Sequence, residues 1–466
     1  MVEIFGIGID FSFWVWFSNL PVLQAAGVVF ALGAWVFIAS FLLKSTVEFW
    51  VEYRSKTKFQ SKWEWVLMAV DIPPLFIQTP KAVEQIFAHL SGALGHSNVS
   101  DKFWHGKKQK SFSFEIISIE GYIQFLVRTE KEYRDLLEAS IYAQYPEAEI
   151  TEVEDYISIL PNKFPNDEYD VLGMEFKLAQ PNAFPIRTYE SFEYSLSKEA
   201  VFSDPMAAIL ENFSRIGPGE NFWMQIVVEP TSSSWKEEGI ALAKLMIKGG
   251  GGSEHGHAGS GIISAVFDAF FAEIRNILTW TFEAHEHEEV KPERVEVTPG
   301  MKKNVENVEN KIAKIGFKTK LRVLYAARKE VFNPTRCIEG FVGSMNQFHI
   351  QDLNAIVPYD ATHAHYDSSH TKGNRLKNTF VKAFKARKMK WRLCDGYILN
   401  IEELATLWHF PLPFVKTPLL HKAGHKRAEP PSGLPVETME HPLKRKGEAE
   451  PNTEVVPAPP QEIPYA

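Results

Sequence analysis

FSFEIISIEGYIQFLVR, residues 112–128, carries two runs of apolar, β-branched and aromatic residues separated by Glu120-Gly121. Such runs on either side of a two-residue turn signal a β-hairpin, Phe112–Ile119 followed by Tyr122–Arg128. Upstream, Trp65–Val70 (WVLMAV) has the composition of a short strand and is stopped by Asp71-Ile-Pro-Pro. Thr79-Pro80 then opens a helix, because threonine can cap and proline is tolerated at the first helical position. Val83, Ile86, Phe87 and Leu90 recur along it at helical spacing. Downstream, residues 130–144 (EKEYRDLLEASIYAQ) place Tyr133, Leu136, Leu137 and Ile141 on one helical face, and Ala148–Val153 supplies another strand. The order is β-α-β-β-α-β.

That order is the ferredoxin-like split unit, assigned to residues 63–160. A second, interrupted copy occupies residues 161–420. Its elements are a strand at Tyr169–Leu178, a helix at 204–215 opened by Asp204-Pro205, and strands at Phe222–Glu229 and Phe317–Ala326. A helix at 334–348 and a closing strand at Tyr397–Asn400 complete it. Its middle strands are separated by an insertion, 231–316. This contains a helix near 235–247, a Gly/Ser/His-rich linker at 248–261 and an apolar helix at 262–282, before the acidic EAHEHEE. Residues 421–466 are rich in Pro, Glu and Lys and read as a disordered tail.

Ahead of both units lies PVLQAAGVVFALGAWVFIASFLL, residues 21–43, with no ionisable side chain. At a rise of 1.5 Å per residue such a helix is about 34 Å long, enough to cross a hydrocarbon core of about 30 Å. A transmembrane helix is therefore expected there, with Pro21, Gly27, Ala31, Trp35 and Leu43 along the anchor. Lys44, Arg54, Lys56, Lys58 and Lys62 follow it in a basic connection, residues 44–62, which places the C-terminal body in the cytoplasm. Residues 1–20 read as an interfacial aromatic segment, with Trp14 and Trp16 at the headgroups. Gly27, Ala31 and Ala34 are small enough to let two such helices approach, which leaves homo-oligomerisation open. The expected fold class is thus α+β: an N-terminal transmembrane helix, then two ferredoxin-like units, the second with a long insertion.

With 466 residues the chain has material for two or three domains, and a net charge of −8 argues against a whole-protein nucleic-acid binder. Cys337 and Cys394 form neither a disulfide framework nor a thiolate metal site, and a reducing compartment suits them. The glycines at 249–252 lack the lysine and hydroxyl that complete a phosphate-binding loop. Histidines at 255, 257, 285, 287, 363, 365 and 370 come in short pairs in polar surroundings, the pattern of solvated loops rather than convergent ligands. No enzyme activity, metal or cofactor is expected. One further feature is the basic helix 375–392 (RLKNTFVKAFKARKMKWR), where Leu376, Phe380 and Phe384 form a stripe among cations. Its bland reading is an amphipathic helix with a solvated face. Its functional reading is contact with an anionic partner through Lys382, Lys385, Lys388 and Arg392, which would make the chain a membrane-tethered nucleic-acid-binding module.

Two stretches carry a resemblance. One is WVLMAVDIPPLFIQTPKAVEQIFAHLSGA with SFEIISIEGYIQFLVRTEKEYRDLLEASIYAQYPEAEITEVEDY; the other is YILNIEELATLWHFPLPFVKTPLLHKAGHKRAEPPSGLP, residues 397–435. They resemble the membrane-anchored N-terminal region of bacterial conjugation or type IV secretion-like DNA-transfer ATPases of the HerA/FtsK class. Unlike those proteins, this chain is expected to lack the ATPase domain. The resemblance implies a non-enzymatic subunit or platform in the bacterial inner membrane, partnered by a separate motor ATPase. It makes Leu399, Asn400, Glu402, Glu403, Leu404, His409, Pro411, Thr417, Pro418, Arg427, Pro430 and Pro431 the expected docking residues.

Overall fold

The computed structural model describes residues 2–412 except 5–6, 10–15, 17–18, 30–34, 74–77, 96–97, 99, 197–198, 203, 248–298, 363–370 and 392–394. The chain is α+β and divides into two units, Met1–Trp65 with Leu94–Lys110, and Val66–Ala93 with Ser111 onward.

In the first unit, β1 (Val2–Ile4) and β2 (Ile7–Ile9) form an antiparallel hairpin. Two helices follow, α1 (Val22–Val29) and α2 (Trp35–Arg54), then a π turn at Ser55–Phe59 and a 3-10 turn at Gln60–Lys62. The uncharged run 21–43 is thus divided between α1, the start of α2 and residues outside the description, Ala31 among them. Pro21, Gly27, Trp35 and Leu43 are exposed. Among the described residues no helix is long and apolar enough to cross a membrane. α2 continues through Lys44, Glu48 and Glu52, so most of the connection expected at 44–62 is helix.

The second unit is built on a nine-stranded sheet. Its first half runs β3 (Trp65–Asp71), α3 (Pro80–Leu90), β4 (Phe112–Ile119), β5 (Tyr122–Glu130), α4 (Arg134–Gln144) and β6 (Glu149–Glu152). The β4–β5 turn places Glu120 at φ 52° and Gly121 at φ 94°. Two successive positive φ values give the turn whose twist matches that of the strands it joins. Val83, Ile86, Phe87, Leu90, Leu137 and Ile141 are buried, as their helical spacing predicts.

The second half begins with β7 (Tyr169–Leu178), a short hairpin of β8 (Glu193–Leu196) and β9 (Glu199–Phe202), α5 (Met206–Ser214) and β10 (Glu220–Pro230). The insertion contributes α6 (Trp235–Ile247) and α7 (Pro299–Ala313), packed together through Ala243, Val305 and Val308. The linker 248–261 and the apolar helix expected at 262–282 lie outside the described residues. Then come β11 (Gly316–Arg328), α8 (Pro334–Met345) and β12 (Ile356–Ala361). The chain closes with α9 (Thr371–Lys385), β13 (Tyr397–Asn400) and α10 (Ile401–Leu407).

Sheet neighbours run β12-β7-β11-β10-β4-β5-β3-β6. In each half the strands therefore lie in the order fourth, first, third, second, and the two second strands, β10 and β4, pair antiparallel to fuse the halves. The closing strand of the second half is β12, not Tyr397–Asn400. β10 occupies one edge of β11 along its whole length, whereas β7 covers only Arg322–Arg328 of the other edge. Gly316–Thr319 are left over there, and β13 pairs with them.

One face of the sheet is covered by α3, α4, α5, α8 and α10, through residues such as Phe87, Leu137, Ile209, Phe341 and Leu404. The other face is covered by α9 and the segment 153–164, with Trp223, Leu324, Phe380 and Phe384 at the contact. A Cβ at Gly173 on β7 would lie 2.1 Å from the Phe380 ring, so α9 sits this close only because that residue is glycine.

Candidate functional site

Under α9 the sheet carries a row of polar side chains. Glu115 on β4 is opposite Gln225 on β10, Gln225 is opposite Arg322 on β11, and Arg322 is opposite Glu175 on β7. All four are completely buried. Because side chains alternate along a strand, they share a face with Ile117, Trp223, Leu324 and Val171, the face that α9 covers.

The row is completed from the chain just after α9. Arg387 has φ 46°, which turns the chain back onto the sheet. Its guanidinium donates to both Glu115 oxygens, at 3.0 Å from Nε and 3.2 Å from Nη2. It also donates to Asp155, at 2.5 Å from Nη1 and 2.9 Å from Nη2. Glu115 further accepts from the Ser113 hydroxyl at 2.6 Å, the Tyr156 hydroxyl at 2.8 Å and the Gln225 amide at 3.1 Å. Along the row, Glu175 takes Arg322 Nε at 2.6 Å and Lys320 Nζ at 2.7 Å, and all three side chains are buried.

These contacts set the charges. Burial pushes the Glu115 carboxyl up, but the Arg387 charge and the hydrogen bonds from Arg387, Ser113 and Tyr156 outweigh it and hold the group below the usual carboxylate range. Burial drives Arg387 down, and its carboxylate partners more than reverse this, leaving its guanidinium fixed as a cation. Arg128 is pushed down to about 10, first by burial and then by the Arg387 charge. A carboxylate offers about four lone-pair sites, and Glu115 accepts from five donor groups. It has no acceptor capacity left for a substrate proton. The cluster therefore clamps α9 and the 155–156 turn to the sheet.

The segment expected to dock a partner is also built into the body. Leu399, Asn400, Glu403, Leu404 and His409 are buried, and Glu402 and Pro411 are half-buried. Asn400 caps α10 by accepting from the Glu403 amide, while the Glu403 carboxylate returns to the Asn400 amide, a capping box. Glu403 also pairs with Lys311 of α7 at 3.0 Å, both side chains wholly buried, and accepts from the Ile186 amide at 2.9 Å. Burial moves Lys311 down and Glu403 up, and the pairing only partly offsets it. Trp408 stacks edge-on against Phe114 and Phe125 of the first half, with ring centroids at 4.9 and 5.6 Å. His409 places Nδ1 2.8 Å from the Ala405 carbonyl and Nε2 3.0 Å from Asp204. Asp204 in turn accepts from the Met206 and Leu412 amides. The run LNIEELATLWHFP is thus a strap joining β11, α7 and the first half of the sheet. The residues within 399–409 expected to dock a partner are thus mostly buried in this body, where the capping box and the aromatic cluster engage their side chains. Thr417, Pro418, Arg427, Pro430 and Pro431 lie outside the described residues.

The basic helix is shorter than expected, ending at Lys385 rather than 392. Lys385 donates to the Leu160 carbonyl and to Asn162 Oδ1, both at 2.7 Å. Arg387 is buried; Lys382 and Lys388 are exposed, and Arg392 lies outside the description. Of the four cations expected to meet an anionic partner, Lys385 is therefore engaged within the body. The sheet face beneath, which bears Gln124, is occupied by α9 and its neighbours. The buried ladder itself was missed from sequence, although a signal was present: FSFEIISI, FWMQIVV, KLRVLY and GMEFKL each set a charged or amide side chain within an apolar strand.

Among the described residues no group of three or more His, Cys, Asp or Glu side chains could hold a metal ion. The histidine pairs at 255–257, 285–287 and 363–370 lie outside those residues. A family model described as Domain of unknown function (DUF8128) matches residues 77–422. No curated protein matches the chain.

Proposed function

We propose that this chain, which belongs to the DUF8128 family, is a non-enzymatic membrane-anchored platform. In this reading two ferredoxin-like units form its cytoplasmic body, and it holds a separate motor ATPase in a type IV secretion- or conjugation-like transfer system. The observation that carries the reading is the apolar surface of α2. Ile38, Phe41, Leu42, Leu43 and Phe49 are 53%, 70%, 58%, 66% and 72% exposed. So many large apolar side chains on one helix call for an apolar surrounding. They continue the uncharged run from Pro21, and the lysines that follow favour the cytoplasmic side. The matching strand order of the two halves supports the pair of ferredoxin-like units. A body whose interior charges satisfy one another suits a platform better than a catalyst.

The motor partner rests on the sequence resemblance, and with 397–412 consumed by the fold its docking surface moves to residues 413–435. Membrane fractionation tests the anchor: the full chain should resist carbonate extraction and be released only by detergent. Recovery in the aqueous fraction without detergent refutes it. Affinity purification tests the docking. An ATPase should co-purify with the full chain and be lost when 413–435 are deleted. Equal recovery from both chains refutes docking there, and recovery from neither refutes the motor partnership.

A further inference from the structure

The C-terminal end of α2 is joined by a segment the chain supplies about fifty residues later. Arg54 lies over the Trp50 ring, 5.4 Å from its centroid, and donates to the Trp104 carbonyl at 3.0 Å from Nε and 2.6 Å from Nη2. Phe103 is 6.4 Å from Trp50 and 5.0 Å from Trp104, centroid to centroid. Gly106, at φ 66°, abuts the α2 terminus so closely that a Cβ would lie 2.4 Å from the Ser55 nitrogen. On the following turn, Trp63 meets Phe59 and Trp65 edge-on, each at 5.5 Å. Two segments distant in sequence, 50–65 and 100–110, thus meet through Trp50, Phe103 and Trp104 at the end of α2, while Phe59, Trp63 and Trp65 form a second trio within the first segment.

Lysines accompany the rings. Lys56, Lys58, Lys62, Lys102 and Lys108 are exposed, and Lys107 and Lys110 partly so. Within 50–65 and 100–110 the carboxylates are Glu52, Glu64 and Asp101, against Arg54 and seven lysines, so this patch is basic in a chain of net charge −8, although Glu52 pairs with Lys56 at 2.5 Å and Asp101 lies 4.0 Å from Lys107. Apolar exposure on α2 continues past Leu43 through Phe49, Trp50 and Tyr53, about 9–15 Å along the helix at 1.5 Å per residue, which puts these rings on the headgroup side of the hydrocarbon edge. Tryptophan favours that depth, where its ring is sheltered and its N–H is wet, and lysine clusters beside it are drawn to anionic lipid within about a Debye length.

We infer that 50–65 and 100–110 form an aromatic–lysine collar lying on the anionic headgroups of the leaflet that α2 leaves. The segment 100–110 is then a second membrane contact, separate in sequence from the span. The inference rests on the anchor reading above, and the following experiment separates the two.

The full chain, with Cys394→Ser so that the buried Cys337 is the only other thiol, is labelled with an environment-sensitive fluorophore at Trp104→Cys. His105→Cys serves as a second site, because His105 is exposed and outside the ring contacts. Ile38→Cys reports on the span. The protein is reconstituted in phosphatidylcholine vesicles with or without about three parts in ten phosphatidylglycerol, carrying lipid quenchers at shallow or deep positions. The collar predicts that labels at 104 and 105 are quenched at least twofold more by the shallow quencher than by the deep one. That quenching should fall at least twofold without phosphatidylglycerol, or when Lys102, Lys107, Lys108 and Lys110 are changed to Gln. Deep quenching at 38 with none at 104 or 105 overturns the collar and leaves the anchor. Absence of quenching at 38 overturns the anchor, and shallow quenching at 104 then still supports the collar as a peripheral contact. Equal quenching with and without phosphatidylglycerol overturns anionic recognition. A label that responds to single-stranded oligonucleotide but not to anionic vesicles overturns the lipid assignment in favour of nucleic acid.

Discussion

Changing Arg387 to Met should destabilise the body more than any other single change in its charged ladder. In the native protein the guanidinium is 3.0 Å from Glu115 Oε1 and both groups are fully buried. At an effective dielectric near 20 that attraction is about 5 kcal/mol, and it offsets a desolvation cost of several kcal/mol per ion. Removing the cation alone leaves the desolvation of Glu115 unopposed, a loss of about 3–5 kcal/mol. Spread over the roughly 350 residues of the body, with about 2.1 cal/mol/K of unfolding entropy per residue, this lowers Tm by roughly 4–7 °C at neutral pH. Glu115→Gln together with Arg387→Met should recover at least half of that loss, because the amide still accepts from Ser113 and Tyr156 and position 115 no longer holds an unpaired buried charge. The pH dependence has a definite sign. In the native protein the Glu115 pKa is depressed, so its stabilisation is present above the ordinary carboxylate range and is lost as pH falls through the folded value. Without Arg387 burial dominates, the folded pKa rises above the unfolded one, and acid should narrow the gap between variant and native protein. Thermal unfolding of the full chain in detergent, followed by near-ultraviolet circular dichroism between pH 4 and 8, reads both effects. A Tm within 1 °C of native for Arg387→Met, or additive losses in the double variant, would refute the clamp.

Three other changes probe different contacts. Trp408→Ala removes the ring shared by Phe114 and Phe125 and should cost about 3–5 kcal/mol, measured as a lower midpoint in urea; a loss below about 1 kcal/mol would mean that the 397–412 strap is not core. Gly173→Ala drives a methyl into Phe380 and should cost about 1–3 kcal/mol, with Gly173→Ala/Phe380→Leu partly restored in the same melt; an unchanged Tm for the single variant counts against the close approach of α9. Asp204 is lifted by burial but lowered overall by His409 and two backbone amides. Its contribution should therefore be present above the usual aspartate range and fade as pH drops through its folded pKa. Asp204→Asn should be destabilised at pH 7, and its gap to the native chain should shrink as pH falls below the ordinary aspartate range; a gap that does not shrink in acid would contradict that assignment.

Much of the order of elements follows from local pattern alone. Period-two runs at 112–128, helical spacing at 83–90 and 133–141, and the Asp204-Pro205 helix start all concern residues a few positions apart. The same locality makes 21–43 stand out as an uncharged apolar run. Where the chain was misread, the deciding partner was far away in sequence. Asn400, Glu403 and His409 look like exposed motif residues until Lys311, Ile186 and Asp204 are placed beside them. Arg387 looks like one of several solvated cations, yet its partner Glu115 is 272 positions earlier. The closing strand was misplaced because β13 depends on how much of one β11 edge β7 leaves uncovered.

Sequence by itself therefore determined the α+β class, most of the strands and helices of the first half and several of the second, and the apolar N-terminal run. Tertiary structure alone decided that β10 and β4 fuse the two halves into one sheet, that α9 covers its second face, and that a row of charges lies sealed beneath. The physical reason is range. Backbone propensity and apolar periodicity act within a turn or a strand, whereas burial of a charge is tolerable only when an opposite charge arrives from elsewhere in the chain. Which cation meets which carboxylate is settled when the sheet has formed and water has left.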